Sequence, residues 1–164
     1  MPIEGMEQPA YIDIDDSLRL RAYDGVFDFA NDWYQDIESL ELIDGRGKAR
    51  PYTQERLHKM YTYLNDHGEL YFIEKQTDDG YIPVGDVTFW QDDMPIVIAR
   101  PYRNQGIGRQ VIQRLIMRAK ELGYRQIRVK EIFDYNIASQ HLFESCGFQK
   151  SSSTSQGSGY FLDL

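Results

Sequence analysis

Two glycines and three arginines crowd one short segment: Arg100-Pro101-Tyr102-Arg103-Asn104-Gln105-Gly106-Ile107-Gly108-Arg109. Glycine lets the chain turn tightly enough for several consecutive N–H groups to converge on one point. A helix starting there adds amides that lack intrahelical partners, and about half a positive charge. Ringed by Arg100, Arg103 and Arg109, such a turn suits a pyrophosphate. The apolar residues 96–99 precede it and the periodic residues 110–122 follow it, which predicts strand, turn and helix in succession.

Several kinds of anion-binding turn share this outline. A dinucleotide fingerprint calls for a third glycine where Val111 stands, and its strand usually opens the domain. A nucleotide P-loop requires Gly-Lys followed by Ser or Thr, which is absent here. A plain tight turn between a strand and a helix also fits the glycines taken alone.

The elements that must position this turn follow from periodicity. Residues 18–23 alternate as a strand after a loose lead-in over residues 1–10. Phe29, Trp33, Ile37 and Leu40 recur at helical spacing and predict a helix over 26–42, ended by Gly45 and Gly47. Thr53 and Gly68 bracket a second helix with Leu57, Met60, Tyr61 and Leu64 on one face. Residues 70–74 and 81–91 read as a hairpin around Asp78-Asp79-Gly80, and Asp92-Asp93-Met94-Pro95 reads as a turn. After the helix over 110–122 come a strand over 126–130, a helix over 136–146 and short strands at 148–150 and 160–162. The serine-rich residues 151–159 read as a flexible hairpin loop. The order is mixed α/β: antiparallel strands first, then one crossover that should be right-handed and parallel, giving a mixed sheet flanked by helices. One domain over 1–164 is expected.

Composition narrows the classes. The 164 residues carry a net charge of −8 and are 41% hydrophobic, as in globular proteins. Residues 1–50 hold 12 acidic and 5 basic side chains, whereas residues 100–130 hold 9 basic and one acidic. The basic segment suits an anionic ligand and the acidic one a cationic partner. No basic patch is interleaved with aromatics, so nucleic acid is not an expected partner. No apolar run approaches a membrane span and no signal peptide is visible, so the expected setting is cytoplasmic, away from membranes. Cys146 is the single cysteine, and His58, His67 and His141 lack metal-ligand spacing, so no metal is expected.

Arg103-Asn104-Gln105-Gly106-Ile107-Gly108 resembles the pyrophosphate loop Arg/Gln-x-x-Gly-x-Gly/Ala of the general-control-type N-acetyltransferase superfamily (GNAT). A second block resembles that family's closing helix: Asn136-Ile137-Ala138-Ser139-Gln140-His141-Leu142-Phe143-Glu144-Ser145-Cys146-Gly147-Phe148. The element order agrees, as do Leu20-Arg21 and Val84-Gly85-Asp86-Val87 in the front half. That half looks most like the branch of ribosomal-protein N-terminal acetyltransferases, with polyamine and aminoglycoside relatives. The resemblance covers about residues 15–164.

It implies a mostly antiparallel sheet in which two parallel strands, 96–99 and 126–130, splay to admit acetyl-CoA. The pantetheine arm would pair near Ile98 and Ala99. The pyrophosphate would sit on the amides of Arg103, Asn104, Gln105, Gly106, Ile107 and Gly108, with Arg109 beside it. Asn136 would hold the arm, cap the helix, or both. The reaction implied is acetyl transfer to a primary amine by direct attack in a ternary complex. The acceptor would be a protein N-terminus or a cationic small molecule such as an aminoglycoside or polyamine. Asp92 stands where histone-acetylating relatives carry a base, although Asp92 and Asp93 also fit a simple turn. Many relatives carry a tyrosine acid where this chain has Phe143, which leaves Phe143 as a cofactor contact. Ser139 is the candidate acid near the sulfur, or a small residue for close packing, and Tyr135 is a reserve. Trp33, Tyr34 and nearby acids could line a cationic pocket, or simply pack on the sheet. A catalytically silent acyl-CoA-binding or sensor module on the same fold is the alternative, and a redox dinucleotide-binding protein is a third. The oligomeric state is left open, a homodimer included.

Overall fold

A computed structural model describes residues 5–164. Five strands form one antiparallel sheet in the order β1 (Tyr11–Asp13), β2 (Leu18–Ala22), β3 (Glu69–Thr77), β4 (Gly80–Phe89) and β5 (Ile96–Ile98). A second sheet has the order β6 (Gln126–Phe133), β8 (Gly157–Asp163), β7 (Gln149–Ser153). Four α-helices complete the fold: α1 (Ile37–Asp44), α2 (Gln54–His67), α3 (Ile107–Glu121) and α4 (Ile137–Ser145).

Strand alternation in β3 divides the interior into two cores. Tyr71 and Ile73 face one core with Ile107, Val111, Ile112, Leu115 and Ala119 of α3, and with β6, β8 and Phe143. Leu70 and Phe72 face the other, with Trp33, Tyr34, Leu40, Leu57 and Tyr61. The α3 positions recur at helical spacing, so one apolar stripe packs on the sheet. Thr53 Oγ1 accepts the Arg56 amide at 3.1 Å and starts α2 as its cap. Gly68 ends α2 where a Cβ would stand 2.9 Å from the Phe89 carbonyl oxygen, so the helix can turn straight into β3 only without a side chain.

The predicted helix over 26–42 is in fact two pieces. A 3₁₀ turn spans Asp28–Tyr34, and α1 starts afresh after Asp36, whose carboxylate accepts the Ser39 amide at 2.9 Å. Tyr34 is held from both sides, by its hydroxyl on Asp86 and by the Tyr52 amide on its carbonyl, so the helix cannot run through it. Ile37 is consequently exposed rather than inward-facing. The lead-in is tied down at Gln8, whose side chain donates to the Leu70 carbonyl, and Tyr11–Asp13 adds an edge strand. Its residues 1–4 lie outside the described residues.

The serine-rich segment is mostly strand, with Ser153 opposite Ser158 and a turn of only three residues, 154–156. Small residues are needed there because backbones nearly touch: a Cβ on Gly157 would lie 2.0 Å from the Ile132 carbonyl oxygen. Among the described residues no helix is long and apolar enough to cross a membrane.

The expected crossover, β5–α3–β6, does not join paired strands. Among the described residues β5 pairs only with β4, and β6 only with β8. What runs beside β6 is the β4–β5 connection. Arg128 N donates to Gln91 O at 2.9 Å, Lys130 N to Asp93 Oδ1 at 3.1 Å, and Gln91 Nε2 to Gln126 O at 3.3 Å. The contacts advance together along both segments, so the two run parallel. Beyond Asp93 and Lys130 the backbone contact ends, and β5 and β6 part.

Candidate active site

The parting of β5 and β6 makes a cleft, and two adjoining cavities lie in it. The first, about 410 Å³, is lined by Ile96, Val97 and Ile98, by residues of the 102–109 turn, and by Asn136, Ala138, Ser139 and Leu142. The second, about 270 Å³, reaches deeper, between residues 93–97 and 129–131, to Phe133 and Phe143. Leu42 and Ile43 of α1 wall both, as do Ile96, Val97, Asn136 and Ser139.

β5 offers a free edge to the cleft. Ala99 N bonds Val84 O and Thr88 N bonds Pro95 O, with Asp86 opposite Val97 between them. The alternation of an antiparallel ladder therefore turns the main-chain groups of Ile96 and Ile98 away from β4. Ile98 O is taken by Arg103 Nε at 2.8 Å, which leaves the Ile98 amide and both polar groups of Ile96. Of the two residues expected to meet the pantetheine arm, Ile98 has this edge. Ala99 does not: its amide is spent on Val84 and its carbonyl on Tyr102.

The turn is shaped for an anion by its main chain. Asn104 at φ +61° and Gly106 at φ +80° are left-handed, and Gly106 caps α3. The first amide of the α3 ladder is Gln110, bonded to Gly106 O at 3.2 Å, so the amides of Ile107, Gly108 and Arg109 have no intrahelical acceptor. Gly108 faces α4: a Cβ there would meet Leu142 Cδ2 at 3.1 Å. The arginines contribute less than their number suggests. Arg100 is paired with Asp36 at 2.6 Å and Glu38 at 3.5 Å. Arg103 is half-buried and reaches Ser39 Oγ at 3.1 Å besides Ile98 O; burial, then the nearby Arg100 charge, lowers its pKa. Its amide is used too, on Arg100 O at 3.3 Å. Gln105 points its amide nitrogen at Pro101 O. Arg109 is exposed and, among the described residues, makes no ion pair.

α4 brings three predicted residues together. Asn136 Oδ1 accepts the Ser139 amide at 3.2 Å, so its side-chain oxygen is a helix cap, while its nitrogen has no hydrogen bond among the described residues and the residue lines both cavities. Ser139 is half-buried on both cavity walls, and its hydroxyl forms no hydrogen bond among the described residues. Phe143, 2% exposed, packs edge-on against Phe148 with ring centres 5.1 Å apart and forms part of the deeper cavity's wall. The reserve acid Tyr135 is committed elsewhere: its hydroxyl donates to Glu41 O at 2.7 Å and accepts the Arg46 amide at 2.9 Å.

The adjacent aspartates 92 and 93 have opposite surroundings. Asp92 is exposed beside Arg128 at 3.7 Å and lines neither cavity. Asp93 lines the deeper one. Its Oδ1 accepts the Met94 amide at 3.0 Å and the Lys130 amide at 3.1 Å, which pins the point where the strands separate. Burial raises its pKa against the pull of those two amides. Of the two aspartates, Asp93 is therefore the one the geometry brings to the cleft, in place of Asp92. The dipeptide alone carries no signal for the choice. The α1 contribution of Ser39, Leu42 and Ile43 is equally invisible in the sequence, because α1 shares no pattern with the turn it faces.

Trp33 and Tyr34 line neither cavity. Both are buried in the second core, with Tyr34 Oη and Tyr61 Oη donating to Asp86 Oδ2 at 2.6 and 2.7 Å. That carboxylate is fully desolvated, which lifts its pKa to about 6. Among the described residues no three His, Cys, Asp or Glu side chains cluster closely enough to hold a metal ion.

Comparison with known proteins identifies the family and the fold. The profile of the acetyltransferase (GNAT) family matches residues 28–148. The chain belongs to that family and is an enzyme of the acetyltransferase class. A search of curated proteins finds no match. Among solved structures, a domain from Methanocaldococcus jannaschii is 22% identical and superposes with a TM-score of 0.73 over 91% of this chain and all of that one. An acetyl transferase from Salmonella typhimurium, which modifies the N-terminal serine of ribosomal protein L7/L12, is 16% identical, with a TM-score of 0.71 over 94% and 99%. A spermidine N-acetyltransferase from Vibrio cholerae, in complex with CoA and spermine, is 18% identical, with a TM-score of 0.70 over 91% and 96%. At these identities the three show a shared fold.

Proposed function

We propose that the protein transfers the acetyl group of acetyl-CoA to a primary amine by direct attack within a ternary complex. The observation that carries this reading is the cleft itself. β5 presents unpaired main-chain groups at Ile96 and Ile98, and the free amides of the α3 start lie at its mouth. The residues fit acetyl-CoA. Amides of residues 104–109 would take the pyrophosphate, with Arg109 as its free cation. The Ile98 amide and Asn136 Nδ2 would take the pantetheine arm. The CoA bound by the Vibrio cholerae neighbour supports CoA as the ligand, without bearing on the individual residues.

The amine nitrogen attacks the thioester carbonyl carbon, the C–S bond breaks, and its electron pair stays on sulfur. Asp93 Oδ2, not engaged by the two amides on Oδ1, would accept the proton that the ammonium must lose before attack. The proton lost by nitrogen during attack ends on the thiolate, to which the Ser139 hydroxyl would donate. A thiol pKa near 8.5 makes that last demand small. Phe143 takes no part in proton transfer. That absence favours one alternative, a binding module that holds acetyl-CoA without transfer.

Titration calorimetry with acetyl-CoA tests the donor site, and release of free thiol with a panel of amines tests transfer. Binding with amine-dependent thiol release is expected. Binding without release from any amine would point to the silent module, and no binding at millimolar concentration would end the proposal.

A further inference from the structure

We infer that the acceptor is a small molecule carrying a single primary amine on an apolar body, and that the deeper cavity is its site. This rests on the acetyl-transfer reading and adds the class of acceptor. Two independent features carry it.

The first is the charge inventory of the cavity. Leu42, Ile43, Met94, Phe133 and Phe143 give it an apolar wall. Three charged residues touch it: Asp93, Lys130 and Glu131. The Lys130 ammonium lies 5.5 Å from the centre of the Trp90 ring. The Glu131 carboxylate accepts the Thr154 hydroxyl at the β7–β8 turn, and the residue is exposed. Asp93 is left as the one half-buried carboxylate of the wall, with one oxygen already holding two amides. One such group neutralises one ammonium. Away from the exposed Glu131, a second cationic centre on the same ligand would be desolvated against leucine, isoleucine and phenylalanine with no partner. Spermidine and aminoglycosides carry several.

The second feature is a closed end. Phe133, part of the cavity wall, also meets Gly45 just past α1: a Cβ on Gly45 would stand 3.4 Å from Phe133 Cζ and 3.4 Å from Gln156 Oε1 of the β7–β8 turn. Tyr135 staples the same end, through Glu41 O and the Arg46 amide, and the Arg46 guanidinium stacks 3.9 Å from its ring centre. Asp134 N donates to Gln156 O at 3.0 Å, which ties the turn to the end of β6. The end of α1 and the β7–β8 turn are thus both tied to the end of β6, close enough that a single added Cβ on Gly45 would bring them into contact. An extended peptide entering amine-first would need them apart to lay down its second and third residues.

The experiment compares kcat/KM of the full chain at saturating acetyl-CoA for phenethylamine, spermidine, kanamycin and an octapeptide with a free N-terminal serine. Phenethylamine is expected to exceed each of the others by about tenfold or more, the scale on which a fitted apolar pocket discriminates. A peptide or polycation equal to it or better overturns the inference. So does the absence of turnover with all four when acetyl-CoA binds. Failure to bind acetyl-CoA is the separate failure of the underlying reading. Binding gives a readout apart from activity: calorimetry of phenethylamine with the CoA-loaded protein should show binding that Asp93→Asn loses. Retained affinity in that variant counts against the site. Tyr135→Phe and Phe133→Ala should each narrow the preference for phenethylamine over the octapeptide. Tyr135→Phe is the milder change, and an unaltered ratio in both folded variants overturns the closed-end argument.

Discussion

The two sides of the cleft are built from different materials. On the donor side the polar groups are main chain: the β5 edge at Ile96 and Ile98, the left-handed Asn104 and Gly106, and the unpaired amides that open α3. On the proposed acceptor side the wall is made of side chains brought from distant parts of the sequence, one of them charged: Leu42 and Ile43 from α1, Asp93 from the β4–β5 connection, Phe133 from β6. A main-chain wall depends on conformation and tolerates most changes of side chain. A side-chain wall depends on identity and on everything that packs behind it. Mutations should therefore separate the two sides by kind as well as by size.

The largest effect should come from Asp93→Asn. It keeps an acceptor for the Met94 and Lys130 amides but removes the base and the charge. We expect kcat/KM for the amine to fall about 10²–10⁴-fold, the usual range for a lost general base, with acetyl-CoA affinity little changed. Steady-state kinetics beside calorimetry checks this. A matching loss of acetyl-CoA affinity would mean that Asp93 serves only as the strand pin, and that the two sides are not separable there.

The core packed behind β5 should be pH-sensitive. Asp86 sits behind Val97, its ladder partner, with its carboxylate in the core under Tyr34 and Tyr61. Its folded pKa is about 6, above an unfolded value near 3.9. The native state thus binds the proton more tightly, and this group's contribution to stability falls as pH rises from about 4 to 6 and is level above. The fall is about 3 kcal/mol, from roughly two pKa units at 1.36 kcal/mol each. Asp86→Asn should flatten that part of the profile, seen as the difference between wild-type and variant urea midpoints at pH 4 and pH 7. A constant difference across that range would remove the titration from Asp86.

Gly106→Val should act next, and on the donor side alone. A β-branched residue at φ +80° is strained by about 1–3 kcal/mol, so the turn opens and its amides diverge. Acetyl-CoA affinity should drop about 10–100-fold, that strain expressed as a binding ratio. Phenethylamine binding to the free enzyme should not follow it.

The same contrast explains which parts of the molecule are legible in its sequence. The donor turn is legible because its demand is on the backbone, and a residue type records that demand: glycine at 106, glycine at 108 facing Leu142, asparagine as the cap of α4. Thr53 and Gly68 are legible for the same reason. The break at Asp36 is not, because Tyr34 is fixed by Asp86, 52 positions away. Nor is the extent of β7 and β8, whose serines and glycines lack strand character and are there to let β6 approach Gly157. The arginines mislead in proportion to their conspicuousness. Arg100 and Arg103 hold α1 against the turn through Asp36 and Ser39, which leaves Arg109 as the one of the three with no side-chain partner among the described residues.

The choice between Asp92 and Asp93 is the finest case, and its test has the smallest expected effect. Periodicity cannot separate neighbours in a turn, but tertiary contacts do. Trp90 bridges to Asp93, the Lys130 amide reaches Asp93 Oδ1, and Asp92 is left outward beside Arg128. With Asp92 57% and Arg128 52% exposed and 3.7 Å between them, the pair contributes about 0–1 kcal/mol, screened by salt. Asp92→Asn should leave the unfolding free energy from urea titration within that margin and amine kcat/KM within about twofold of wild type. Measured side by side with Asp93→Asn, it divides two adjacent carboxylates by function. A loss at Asp92 as deep as at Asp93 would return the base to the outer residue and require β4–β5 to turn over by one position, with the Lys130 contact broken.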